Sequence, residues 1–433
     1  MGMLSALLSA FKIPDLRQKL IFTAAMLVIF RFVSHVPVPG VNVENLRRVF
    51  ETNQLVGMLD LFSGGAMSSF SIAAMGVYPY ITASIIMQLM VPIIPRLTEL
   101  SKEGESGRNQ INQYTHWLTV PLAALQSFGT PQLLNASLPE PVVENFGFDV
   151  NPLGTLSIII SMTAGTMLLI WLGELITQHG VGNGVSMIIF GGIVARLPFL
   201  LGQTLSSGTP VVTVGVFLAL GVATVAAIVF VYEGQRKIPV EVAKRIRGNR
   251  VYGGGRTNIP LKVNSAGMIP LIFAQSIMIF PGTLAGYFLA DTTAAYYGIA
   301  RAVYDLFNLQ SSWFYWFFYF WLVVAFTFFY ALVLFQQQNI HENLQRQGGF
   351  IPGIRPGAPT ARYLHSVLLR ITLFGAVFLG LVAVLPFLAQ NVTGTQALTL
   401  SATALLIVVG VGLDTMRQLE AQLIMRNYRG FIR

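Results

Sequence analysis

Acid–base or metal chemistry in this chain would have to be drawn from five histidines and 18 acidic residues, because it contains no cysteine. The missing thiols exclude a disulfide framework, a thiolate metal site and a cysteine nucleophile. His35, His116, His179, His341 and His365 all fall in loops or near the ends of apolar runs, and no H-E-x-x-H, G-x-S-x-G or Walker sequence occurs. Gly253-Gly254-Gly255 lacks the Lys-Ser/Thr of a phosphate-binding loop and reads as a turn. The residues therefore offer no catalytic constellation and imply no cofactor or metal. What remains is the chemistry of polar groups set in apolar chain. Ionisable residues there serve as coupling or substrate sites, and the candidates are Glu174, Arg196, Arg370 and Asp414. All four sit near the ends of apolar runs, where a side chain reaching for water is the simpler account. Gln88, Gln126, Gln275 and Ser276 lie more centrally and suit either a polar path or plain hydrogen bonding between helices.

One polar stretch stands apart. Residues 57–70, GMLDLFSGGAMSSF, carry Asp60, Ser63, Gly64, Gly65, Ser68 and Ser69. The stretch is shorter than the roughly 20 apolar residues that cross a bilayer. Such chain is tolerated at membrane depth only inside protein or beside a water-filled cavity. A complete apolar run, 72–95, follows it directly and includes Thr82, Ser84 and Gln88. The two together read as a re-entrant element in an aqueous passage, or as an outer loop ahead of an ordinary helix. These residues alone leave both readings open.

The elements that must position such groups are membrane helices. Hydrophobic residues make up 54% of the chain and charged residues 10%, with a mean hydropathy of +0.65. Those values describe a polytopic membrane protein and exclude an ordinary soluble fold. Apolar runs at 20–36, 72–95, 117–134, 153–176, 185–201, 211–232, 265–289, 313–335, 367–388 and 398–413 predict ten spans. Residues 1–11 predict a short amphipathic helix at the interface rather than a signal peptide. Ten spans put both termini on one side, and the basic residues choose the cytoplasm. With that placement only Arg31, Arg47, Arg48, Arg196 and Arg301 fall outside or at its edge. Five spans per half is an odd number, so the second half enters inverted. That arrangement places a functional path between the halves, although no residue-level repeat is visible. The expected fold is all-α and integral to the membrane. It has ten transmembrane helices in two inverted pseudo-symmetric halves, 1–204 and 205–433, with a re-entrant segment.

Two large polar loops, 233–263 and 336–364, complete the chain. The first contains Arg236, Lys237, Lys244, Arg245, Arg247, Arg250, Arg256 and Lys262, and its 238–242 and 251–255 pieces predict a hairpin. A basic surface of this size suits docking of an acidic protein, ribosomal RNA or anionic lipid. A plain positive-inside loop is the blander reading. A secondary transporter is the main rival function and an intramembrane enzyme a more distant one.

Several segments together resemble the bacterial SecY family: GVYPYITASIIMQLM (76–90), LFSGGAMSSFS (61–71), KEGESGRNQINQYT (102–115), GVGNGVSMIIF (180–190) and FIPGIRPGAPT (350–360). The likeness runs from about residue 12 into the tail, in the family's order and spacing. SecY proteins are the central subunit of the protein-conducting channel, built from ten helices in two inverted halves. The resemblance implies that 57–70, with Asp60, Leu61, Phe62, Ser63, Gly64 and Gly65, is the plug that seals the channel from outside. It implies an apolar pore ring of Val77, Ile81, Ile189, Ile272 and Ile407, with Val77 a shortened member. It places Gln88, Gln126 and Ser276 at a lateral gate, between spans two and three on one side and seven and eight on the other.

Arg355 matches the loop arginine that engages the SecA motor. The 233–263 loop, with Arg236, Lys237, Lys244, Arg245 and Arg250, matches the docking surface for motor and ribosome. The partners implied are SecE-like and SecG-like small membrane subunits, a SecA-like ATPase, the ribosome with its RNA, signal peptides and nascent chains, and anionic lipids. The implied location is the plasma (inner) membrane. The physics agrees: branched aliphatics are inert toward a passing chain, and a narrow apolar ring dewets and blocks ions. A sideways exit lets an apolar segment enter lipid at a gain of about 0.8 kcal/mol per buried CH₂.

Overall fold

The computed structural model describes residues 13–429 except 53, 137–139, 207–210, 243–244, 248–249, 253–254, 268, 290–295, 308–312, 339, 347 and 394–395. The helix expected over 1–11 and Lys244 lie outside the described residues. The first part of the chain forms α1 (Pro14–Val33), α2 (Val43–Thr52), α3 (Gln54–Ser63), α4 (Tyr78–Met90), α5 (Pro95–Lys102), α6 (Glu105–Ala136), α7 (Pro152–His179), α8 (Gly184–Ser206) and α9 (Val211–Glu233). Strands β1 (Gln235–Val242), β2 (Arg245–Arg247), β3 (Arg250–Tyr252) and β4 (Arg256–Lys262) follow. The chain continues through α10 (Ile269–Tyr287), α11 (Tyr297–Phe307), α12 (Trp313–Gln338), α13 (Ile340–Arg346), β5 (Gly349–Phe350), α14 (Ala358–Thr393) and α15 (Gln396–Arg429).

Each of the ten apolar runs contains a helix: α1, α4, α6 to α10, α12, α14 and α15. By length and apolar composition alone, α7, α10, α12 and α14 each qualify as a span, and α4 with α5, bent by 98°, forms a broken fifth. Span two is shorter as a helix than its apolar run. Gly76 takes a left-handed conformation (φ 57°), so the helix starts after it, with Val77 as N-cap and a proline in the first two positions. A fixed φ suits proline to a helix start.

The chain divides into two compact units. The first comprises Met1–Phe217, Gln275–Phe317 and Pro386–Arg433. Within it α3 packs on α8, α8 packs on α7 and α15, and α6 packs on α4 and α7. Small residues allow the close approaches. A Cβ on Gly165 of α7 would lie 2.0 Å from the Ile72 carbonyl oxygen. Leu16, Val181 and Leu419 form a separate buried cluster in this unit.

The second unit comprises Leu218–Ala274 and Phe318–Leu385. It holds an antiparallel sheet in the order β4-β1-β5. Strand β1 pairs with β4 from Gln235↔Lys262 to Glu241↔Arg256, and its end pairs with β5 at Glu241↔Phe350 and Val242↔Gly349. The hairpin expected between 238–242 and 251–255 is therefore corrected, because β3 pairs instead with β2. The observed register sets Ile238 opposite Ile259. It turns Ile238, Val240 and Leu261 to one face, which buries them with Ile351, Leu364 and Val367. A one-residue slip would put that apolar set on the wrong side.

Candidate functional site

Helix α3 has ten residues, half of what a span requires. It ends where Gly64 (φ 67°) and Gly65 (φ 86°) take left-handed conformations, which glycine adopts without Cβ penalty. The chain then returns through successive turns to Val77. The return is tied to the end of α1 by an antiparallel bridge between Pro37 and Ser71. The Val38 N–H donates to the Phe70 carbonyl and the Ile72 N–H to the Val36 carbonyl, each at 3.0 Å. The Ser69 hydroxyl donates to the Ser34 carbonyl at 2.9 Å. Val56, Leu59, Ala66, Met67 and Phe70 are buried. The protein thus encloses this segment, as chain at membrane depth requires. The side chains of Leu61 and Phe62 are outside the description.

Asp60 organises this turn. Its Oδ1 accepts from the Ser68 N–H at 2.9 Å and from the Ser63 hydroxyl at 3.3 Å. Its own carbonyl accepts from the Gly65 N–H at 3.0 Å. The carboxylate is fully buried and forms an ion pair with Arg196 of α8, whose side chain is 19% exposed. Arg196 is therefore not a snorkelling span-end residue, and that expectation is corrected. Composition placed Arg196 near an interface, but α8 presents it to the one acidic group of the half-segment. A second arginine joins them: Arg31 Nη1 donates to the Gly64 carbonyl at 3.0 Å. Of the other ionisable candidates, Glu174 lies 3.1 Å from His116 Nε2, and Arg370 is exposed.

Val77, Ile81, Ile189 and Ile407 all belong to the first unit and are buried. Val77 and Ile81 stand one turn apart at the start of α4, Ile189 is on α8 and Ile407 on α15. Ile272, on α10, is buried and belongs to the second unit.

Gln126 of α6 is buried, and neither end of its carboxamide has a hydrogen-bond partner among the described residues. Gln88 is half-buried and donates to Ser84 Oγ at 3.3 Å. Ser276 of α10 is buried, and its carbonyl accepts from the Tyr78 hydroxyl at 3.2 Å. Gly129 of α6 passes against the Tyr287 ring so closely that a Cβ would lie 2.3 Å from it. Tyr78, Gly129 and Tyr287 were not legible as site residues. Arg31 and Gly192 were missed as well, although Gly191-Gly192 and Gly64-Gly65 were a paired signal for close backbone approach.

Arg236 and Lys237 are exposed at the start of β1, while Arg245 and Arg250 lie on the β2–β3 ribbon with side chains outside the description. Arg355 is exposed on a loop framed by Gly353 (φ 81°) and Gly357 (φ 100°). Ile351 and Ile354 pin that loop to the sheet's apolar cluster, and the Thr360 hydroxyl donates to the Arg355 carbonyl at 2.9 Å. Because β5 pairs with β1, the two polar loops form one platform.

The family model described as SecY matches residues 71–416. The protein translocase subunit SecY of Streptomyces scabiei is 43% identical over 455 residues, covering all of both chains. Among solved structures, one is a SecY whose plug domain stabilises the closed state of the translocation channel and maintains a membrane seal. It aligns with a TM-score of 0.64 at 17% identity, over 94% of this chain and 92% of that one. Sec61 in the canine ribosome–channel complex from the endoplasmic reticulum aligns with a TM-score of 0.61 at 17% identity, over 94% and 93%. The fold is that of these multi-pass channels, and by its full-length kinship with the curated translocase subunit the chain belongs to the SecY family.

Proposed function

We propose that this chain is the channel-forming subunit of a Sec translocase. It passes unfolded polypeptides across the plasma membrane and releases apolar segments sideways into lipid. The observation that carries this reading is the 43% identity to a translocase SecY subunit along the entire chain. The buried half-length helix α3 supports it, because a stopper must fill a passage without spanning it. In this reading 57–70 is the plug. Val77, Ile81, Ile189 and Ile407 line the constriction, Ile272 joins them by the family resemblance, and Gln88, Gln126 and Ser276 belong to the lateral gate. The halves meet near residue 204, and both termini are cytoplasmic, as the distribution of basic residues favours.

The motive force comes from partners: a SecA-like ATPase at Arg355, or a ribosome on Arg236, Lys237, Lys244, Arg245 and Arg250. Small SecE-like and SecG-like subunits clamp the channel, and anionic lipids contact its basic face. The test is reconstitution in proteoliposomes with small subunits, motor and an unfolded secretory substrate. ATP-dependent protection of the substrate from protease is expected. Uptake of a small solute without motor, with no substrate protection, would favour the secondary transporter instead.

A further inference from the structure

We propose that Arg196, seconded by Arg31, is the positioning residue that seats the plug, acting through Asp60. The inference rests on reading 57–70 as the plug.

Three observations converge on one face of α8. The turn after α3 meets α8 at Gly192, where a Cβ would lie 2.3 Å from Gly64 Cα. Arg196 stands four residues further on, which is the same helical face, and pairs there with the fully buried Asp60. Arg31 reaches the same turn from α1 and donates to the Gly64 carbonyl. The Arg31 and Arg196 side chains approach to 3.5 and 3.9 Å of a Cβ built on Gly65. Two arginine side chains thus flank the glycine turn.

The electrostatics explain why cations are needed there. The last turn of α3 carries the negative end of its helix dipole, and Asp60 adds a formal charge beside it. A carboxylate with no exposed surface must be paired or hydrogen-bonded. Its Oδ1 is taken by the turn itself, so Arg196 supplies the compensation from outside the plug. The same physics suits a part that must also leave. A buried ion pair contributes little net stability relative to an apolar contact but penalises misplacement strongly. Arg196 therefore fixes where the plug sits without making its seat deep. When the plug swings out into an aqueous passage, both charges are rehydrated.

The experiment measures halide leak from liposomes holding the assembled complex, without motor or substrate. Asp60→Asn keeps an acceptor for Ser68 and leaves Arg196 unpaired. Arg196→Met does the converse. Each is expected to leak about tenfold faster than the parent, because one buried charge is left alone. The paired change Asp60→Asn with Arg196→Met, which keeps the acceptor for Ser68 and leaves neither charge buried alone, should restore sealing to within about threefold, as should Arg196→Lys, which retains the charge. Restoration by a second substitution is a readout that loss of packing alone would not produce. Should Arg196→Met fail to assemble, Asp60→Asn against Asp60→Asn with Arg196→Gln carries the same comparison. Single variants as tight as the parent, or a paired variant as leaky as the singles, would overturn the proposal. Deleting 60–69 separates the two ideas. If that deletion leaks while the single variants stay tight, the plug stands and the seating role fails. If the deletion is also tight, the plug reading itself fails.

Discussion

Gly64 and Gly192 meet backbone to backbone: a Cβ on Gly64 would lie 2.7 Å from Gly192 Cα. No side chain fits at either position without moving the turn after α3 away from α8. Among the described residues, nothing lies within 4 Å of a Cβ on Gly202, further along α8. Gly192→Ala should therefore unseat the turn at a cost of about 1–3 kcal/mol, as overpacking does, and raise resting ion conductance. Gly202→Ala should leave conductance at the parent level. Equal conductance in the two variants, measured on the purified complex in liposomes, would show that this contact does not hold the seal.

The proposed ring and plug would act as barriers in series. Replacing Ile81 and Ile189 with Ser widens and wets an apolar constriction, while deleting 60–69 removes the stopper. Each change alone should give a partial leak, and the combination a larger one. Single-channel recording checks the order. A combined variant that is folded, partner-bound and ion-tight would place the pore elsewhere.

Tyr78→Phe removes the hydroxyl that donates to the Ser276 carbonyl and keeps the ring. The loss of one such bond is about 0.5–1.5 kcal/mol, which favours separation of α4 from α10 by up to roughly tenfold. Substrates with weakened signal sequences should then be translocated faster by the variant. Unchanged rates would mean that this bond persists or is irrelevant during opening.

Arg355→Glu tests the loop tip. The guanidinium is always charged and presents a planar fork of donors, and the loop around it is fixed by two glycine turns and the Ile351–Ile354 anchor. The variant should insert normally and retain its small partners, yet lose ATP-driven translocation. Normal motor-driven activity would remove Arg355 from the docking site.

Arg236 and Lys237 are exposed on the platform, so their attraction for a partner is screened over about 8–10 Å at physiological ionic strength. Reversing both to Glu should weaken ribosome or motor binding and flatten its dependence on salt. Binding titrations at several salt concentrations measure both quantities. An unchanged slope would leave the loop as a topological signal only.

The sequence by itself determined the ten helical runs, the half-length segment and the concentration of basic residues in particular loops. Each is a local property: partition into lipid sums over neighbouring residues, and the basic bias acts loop by loop. It also marked α3 as unable to span, while the enclosure of its side chains by the rest of the protein was visible only in the tertiary structure. Only the tertiary structure decided which distant residues meet. Arg196 looked like a span-end cation until α8 carried it to Asp60, because pairing of a buried charge depends on three-dimensional approach and not on spacing. The start of α4 at Tyr78 instead of residue 72 was set by the left-handed Gly76, against a hydropathy signal that ran straight through it. The choice of β4 and β5 as partners for β1 followed from burying Ile238 and Val240 with Ile351, a non-local packing demand that joins two loops the sequence holds apart.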